Sequence, residues 1–154
     1  MQSKKQFYKK MKTRKTLATL AFAALCATAH SQDIDSLAYR AYLYNNNYKV
    51  YMRINFYDND VVVPGQELYG ELPGYLSKEH NSFCWLITSA KINDDHSARI
   101  EMVNDYGSED LSAELVRQND SIYVLRQLSG SALKVPNNSK WQKLPKNLEL
   151  KRKK

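Results

Sequence analysis

Between Lys49 and Tyr57 the chain alternates without a break. Val50, Met52, Ile54 and Phe56 are apolar, and Lys49, Tyr51, Arg53, Asn55 and Tyr57 fall between them. A period of two puts the two sets on opposite faces of an extended strand, whereas a helix would scatter them around its axis. One face must therefore meet a core. The pattern recurs. Residues 82–92 crowd β-branched and aromatic types and read as a buried strand, and residues 93–97 are a polar turn. Residues 98–103 then alternate as a half-buried strand, giving a hairpin expected at the centre of the domain.

The rest of the chain follows the same rule. Residues 37–44 satisfy both helical and strand periods, and Tyr39, Tyr42 and Tyr44 favour the strand. Asn45-Asn46-Asn47 is a turn. Short strands are expected at 61–63 and 67–72, stopped by Pro64-Gly65 and Pro73-Gly74, with a bend at Gly70. Residues 111–117 and 121–127 form a second hairpin. Residues 129–147 read as irregular, with Pro136 and Pro145 as breakers. A last strand at 148–151 precedes a basic solvated tail, Arg152-Lys153-Lys154. Eight or nine short strands without a strong helix predict an all-β fold, a single antiparallel β-barrel or else a two-sheet sandwich.

Residues 1–31 read as a signal peptide. Lys4, Lys5, Lys9, Lys10, Lys12, Arg14 and Lys15 form a basic leader, and residues 16–26 are an apolar stretch too short to span a bilayer. Small residues then offer cleavage before His30 or before Gln32, and Met11 is an alternative start. This implies a periplasmic or secreted protein whose domain occupies residues 32–154.

Charge falls to zero once that segment is removed. The whole chain carries +7, but residues 33–154 hold 16 basic and 16 acidic groups. Nucleic-acid binding thereby loses its main support. Residues 33–133 have 8 basic against 15 acidic groups, and residues 134–154 have 8 against 1. Cys84 is the one cysteine after residue 31, so no intrachain disulfide is expected, and it reads as a small buried hydrophobe.

Little in the chain speaks for catalysis. His80 and His96 sit in polar turns, no serine lies in a Gly-x-Ser-x-Gly elbow, and the acidic loop 105–110 lacks the alternating ligands of a calcium loop. The reading is therefore a protein that is not an enzyme, with no catalytic residue, metal or cofactor. Six tyrosines fall within residues 39–57, and Tyr42, Tyr44 and Tyr51 are candidate surface contacts for a partner or a sugar.

Ser129-Gly130, Leu133, Trp141 and Lys143 resemble the signature of the periplasmic inhibitors of c-type lysozyme. Those are small exported antiparallel β-barrels with a Ser-Gly-x-x-Tyr pattern followed by Trp-x-Lys-Gly. The similarity spans residues 120–143, including the strand that leads into the loop. It implies that Ser129 and Lys143 enter a lysozyme cleft, with Trp141 beside them as a partner-binding residue. The chain departs from the pattern at Leu133, where the family has tyrosine, at Leu144, where it has glycine, and in lacking the family's disulfide cysteines.

Together these features predict an exported non-catalytic binding protein, an inhibitor of a lysozyme-like cell-wall hydrolase. The alternatives are a lipocalin-like carrier, holding a small apolar ligand in a cavity lined by Val50, Met52, Ile54 and Trp85, or a structural or interaction protein of the cell envelope. The partner is thus a protein or a small apolar ligand, with no nucleic acid and no transmembrane segment after residue 31.

Overall fold

A computed structural model of the protein describes residues 37–154. The signal-peptide reading falls outside the described residues. The alternation at Lys49–Tyr57 becomes β2 (Val50–Asn55), flanked on one side by β1 (Arg40–Asn45) and on the other by β5 (Gly74–Lys78). From β5 the chain runs as a meander through β6 (Cys84–Ile92), β7 (Ser97–Asn104), β8 (Asp110–Arg117) and β9 (Ile122–Gly130). The last strand, β12 (Asn147–Arg152), pairs with both β9 and β1 and closes an eight-stranded antiparallel barrel. Closure leaves the eight-stranded sheet without a terminal edge strand. This is the predicted barrel, not the sandwich.

Two ribbons interrupt the meander. The β3 (Val61–Val62) and β4 (Glu71–Leu72) pair lies between β2 and β5 in sequence, and β10 (Lys134–Asn137) pairs with β11 (Lys140–Lys143) between β9 and β12. Here three expectations are corrected. Residues 67–72 are not one strand: Glu67–Tyr69 is a 3-10 turn ended by Gly70 at φ 67°, and only Glu71–Leu72 is extended. Gly74 does not stop a strand but begins β5, because β2 passes so close that a Cβ would lie 2.2 Å from the Arg53 carbonyl oxygen. Residues 129–147 are irregular only in part, at 131–133 and 144–146, with β10 and β11 between. Pro136 is tolerated in a two-stranded ribbon, and Asn138 and Ser139, both at positive φ, make the tight turn that joins β10 to β11.

The basic tail is also shorter than expected. Arg152 belongs to β12, and its guanidinium donates to the carbonyls of Leu37 and Arg40 at 3.0 and 2.9 Å.

An eight-stranded barrel is just wide enough for side chains to fill it, and this one is filled. Tyr39, Leu43, Met52, Leu76, Trp85, Ile87, Ile100, Leu115, Tyr123 and Leu125 are fully buried in one contiguous cluster. Ala98 and Ala113 belong to the same cluster. A smaller second cluster sits on the outside of the wall, where Val63 and Leu72 from the β3–β4 segment cover Tyr75, Cys84 and Leu86. Cys84 is thus buried under a flap rather than in the barrel. Burial, with Asp105 nearby, pushes its thiol up to about 12.

At the end where β6 begins and β9 finishes, the β10–β11 ribbon folds over the opening. Leu133, Val135 and Leu144 join the main core there. At the other end, residues 37–39 close the barrel, with the Tyr123 hydroxyl donating to the Ala38 carbonyl at 2.6 Å. Among the described residues no helix is long and apolar enough to cross a membrane.

Candidate functional site

β9 leaves the barrel wall through a bulge. Ser112 pairs with Ser129 while Ala113 pairs with Gln127, so Leu128 is the extra residue and is pushed outward, 45% exposed. Gly130 follows at φ 94°, and a Cβ there would lie 2.5 Å from the Asp110 carbonyl oxygen. The glycine of the Ser-Gly pair is therefore dictated by the close passage of β8. Ser129, one residue earlier, is left exposed at the rim.

The excursion from residue 131 to residue 146 is clamped at its root by Gln127. Its side-chain carbonyl accepts from the Leu133 amide at 2.7 Å, and its amide donates to the Pro145 carbonyl at 2.9 Å. Leu144 N also donates to Leu133 O at 2.9 Å. The two positions at which the chain departs from the lysozyme-inhibitor pattern are thus bonded to each other, and both side chains are buried in the core. Their apolar character serves the packing of the ribbon. Nothing in the sequence marks Gln127 as a clamp, since a half-buried glutamine on a strand has no characteristic spacing.

This geometry brings Ser129 and Lys143 together. Both line one groove of about 330 Å3, with Leu111, Leu128 and Lys146 in its walls. Its lining contains two lysines and no carboxylate. Among the described residues neither the Ser129 hydroxyl nor the Lys143 ammonium makes a hydrogen bond or ion pair, so both are available to a partner. Lys134, directly opposite Lys143 in the ribbon, is already committed: its ammonium pairs with Glu109 at 2.7 Å and lies 5.3 Å from the centroid of the Trp141 ring.

Trp141 does not enter the groove. It packs edge-on against Phe83, with centroids 5.0 Å apart, and is 49% exposed. Being two residues from Lys143 on β11, it shares the same side of the ribbon, about 7 Å along the strand. The candidate tyrosines lie elsewhere, on the outer face of β1 and β2. Tyr42 stacks on Tyr51 at 5.4 Å, Tyr51 meets Tyr75 edge-on at 6.0 Å, and Lys153 Nζ sits 5.5 Å from the Tyr42 ring. Burial raises the Tyr42 and Tyr75 hydroxyls, the latter to about 12, with Tyr51 as the next contributor to each. Tyr44 stands apart from that stack.

His80 and His96 are exposed at turns, and among the described residues no three His, Cys, Asp or Glu side chains gather as metal ligands. The residues suggested as the wall of a carrier cavity, Val50, Met52, Ile54 and Trp85, belong to the packed cluster and are at most 3% exposed. Comparison with protein-family models, with characterised proteins and with solved structures finds no match to this chain.

Proposed function

We propose that the protein is an exported, non-catalytic binding protein that inhibits a lysozyme-like cell-wall hydrolase by presenting Lys143 and Ser129 to its cleft. The observation that carries this reading is the groove in which an uncommitted ammonium and an uncommitted hydroxyl converge, with Lys146 adding a second positive charge. Such hydrolases work with paired carboxyl groups, which an inserted lysine would meet in a charge-assisted hydrogen bond. Residues 33–133, with 15 acidic against 8 basic groups, would steer the body toward a basic enzyme. Trp141 supplies an exposed aromatic anchor beside Lys143. A filled interior favours a partner on the surface over a ligand held inside.

Cell-wall lysis by a c-type lysozyme, with the protein added at micromolar concentration, tests the proposal. Lys143→Ala should cost about 2–5 kcal/mol, because the lost partner leaves a desolvated carboxylate behind, and so weaken inhibition about thirtyfold or more. Ser129→Ala should cost about 1 kcal/mol. Undiminished lysis with the wild type, or full inhibition by Lys143→Ala, defeats the reading.

Export is the companion proposal, motivated by the basic leader, the short apolar stretch and the small residues before His30 and Gln32. In a Gram-negative host, intact mass should show a chain beginning at one of those two residues in the periplasm or medium. Retention of the leader would overturn it.

A further inference from the structure

Beside the open ring of Tyr44, two neighbouring depressions share a wall, and Tyr44 and Asn46 line both. One, of about 210 Å3, adds Glu149 and Lys151. The other, of about 200 Å3, adds Glu79 and Lys153. Tyr44 and Asn46 are common to both, Asn45 and Asn47 complete the first and Tyr42 the second, and each has one carboxylate and one ammonium of its own. Two adjoining polar depressions divided by one ring suit a ligand of linked polar units.

Barrel closure is what assembles it. Tyr44 lies opposite Tyr51 on β2 and opposite Lys151 on β12. Lys153 N donates to Tyr42 O at 2.9 Å, holding the chain end beside β1, and Glu79 N donates to Lys49 O at 2.8 Å at the adjoining turn. Tyr42 is already occupied by Tyr51 and Lys153. Tyr44 is different. Half-buried, its side chain makes no ring contact and no hydrogen bond among the described residues, and the same holds for the exposed Asn46 side chain. Asn45, by contrast, is spent on its own turn, donating to Glu149 O at 2.8 Å and accepting from Tyr48 N at 3.0 Å.

We propose that this face binds a linear, uncharged glycan, with one sugar ring in each depression and Tyr44 between them. Tyrosine offers a sugar an apolar ring and a polar tip, and the flanking amide, carboxylates and ammoniums match hydroxyl and acetamido groups as donors and acceptors. One carboxylate and one ammonium in each depression cancel, so a polyanion such as nucleic acid gains no net attraction. The lining is polar, unlike a pocket for an apolar ligand. The site shares no lining residue with the Ser129–Lys143 groove, and the two proposals stand or fall separately.

The test is titration of the purified protein with the β-1,4-linked hexasaccharides of N-acetylglucosamine and of glucose, and with a heparin-derived hexasaccharide, followed by amide chemical shifts and calorimetry. At least one neutral hexasaccharide should bind and shift the amides of residues 44–47 and 149–153. Tyr44→Ala should weaken that binding about tenfold, which is about 1.4 kcal/mol. Tyr44→Phe should bind nearly as wild type, and Glu79→Gln should lose about threefold, with folding checked by circular dichroism. Tyr106→Ala, removing an exposed tyrosine elsewhere, should leave binding unchanged. The proposal is overturned if neither neutral hexasaccharide binds at millimolar concentration, if heparin binds more tightly, or if folded Tyr44→Ala and Glu79→Gln both bind as wild type. Lysis inhibition should be the same in Tyr44→Ala and wild type, which separates failure here from failure of the inhibitor reading.

Discussion

The Trp85 indole, with no exposed surface, donates a 2.9 Å hydrogen bond to the backbone carbonyl of Lys134, so the largest side chain of the barrel core also holds the ribbon that carries Lys143. Trp85→Phe keeps an aromatic ring but deletes the donor and opens a cavity. It should destabilise the protein by about 2–3 kcal/mol in urea unfolding. Hydrogen exchange should also accelerate more in residues 134–143 than in β7. Equal protection of the ribbon in wild type and variant would show that the bond does not anchor it.

Two glycines at positive φ should respond differently to alanine. At Gly107 (φ 68°) nothing lies within 4 Å of an added Cβ, so only the left-handed backbone is penalised, about 1–2 kcal/mol. At Gly130 (φ 94°) the same penalty is joined by a 2.5 Å approach to the Asp110 carbonyl. Gly130→Ala should therefore cost about 3 kcal/mol or more and distort the rim at Ser129. Equal costs in denaturant titrations would contradict the close passage of β8.

The Lys134–Glu109 pair ties the ribbon to the loop before β8, at 2.7 Å with each side chain 26% exposed. Glu109 also accepts from Asn104 Nδ2 at 3.2 Å. A charged pair so placed should contribute about 1 kcal/mol. A double-mutant cycle of Lys134→Gln and Glu109→Gln should return a coupling of about that size. Strict additivity would mean the pair adds nothing.

Cys84 should resist thiol reagents in the native protein. It is 1% exposed, and burial followed by Asp105 pushes its thiol up to about 12. Since the folded value lies above the unfolded one of about 8.5, its contribution to stability is complete below about pH 8 and declines as pH rises toward 12. Labelling at pH 8 should need denaturant, and rapid native labelling would show that the β3–β4 flap opens.

Asp94 should report on acid. The backbone N–H groups of His96 and Ser97 donate to its carboxylate at 2.8 Å each, and the His96 bond is the chief reason its carboxyl lies below the usual range. A depressed folded value means the unfolded chain takes up the proton first, so the contribution is present above about pH 4 and fades as pH falls further. Asp94→Asn should flatten the fall of Tm with pH below about pH 4. An unchanged slope would remove this carboxylate from the acid response.

What the sequence determined by itself is what local periodicity can encode. Val50, Met52 and Ile54 point inward because they alternate, and the two hairpins around residues 93–96 and 118–121 follow from polar turns between alternating runs. The all-β class follows from their number and spacing, and the pairing of β12 with β1 decides for the barrel over the sandwich. Tertiary structure decided the rest. The β10–β11 ribbon was hidden because Pro136 breaks most strands, and only its place on a two-stranded edge makes it harmless. Gly74 looked like a stop because its reason, the Arg53 carbonyl 2.2 Å from a would-be Cβ, belongs to another strand. Ser129 and Lys143 were legible as a motif, yet their convergence depends on the Gln127 clamp and on Leu133 and Leu144 packing inward. Tyr44 lines one depression with Lys151 and another with Glu79 only because β12 lies beside β1 and β5 beside β2. Contacts between residues far apart in the chain carry no periodic signal, since they depend on which strands become neighbours.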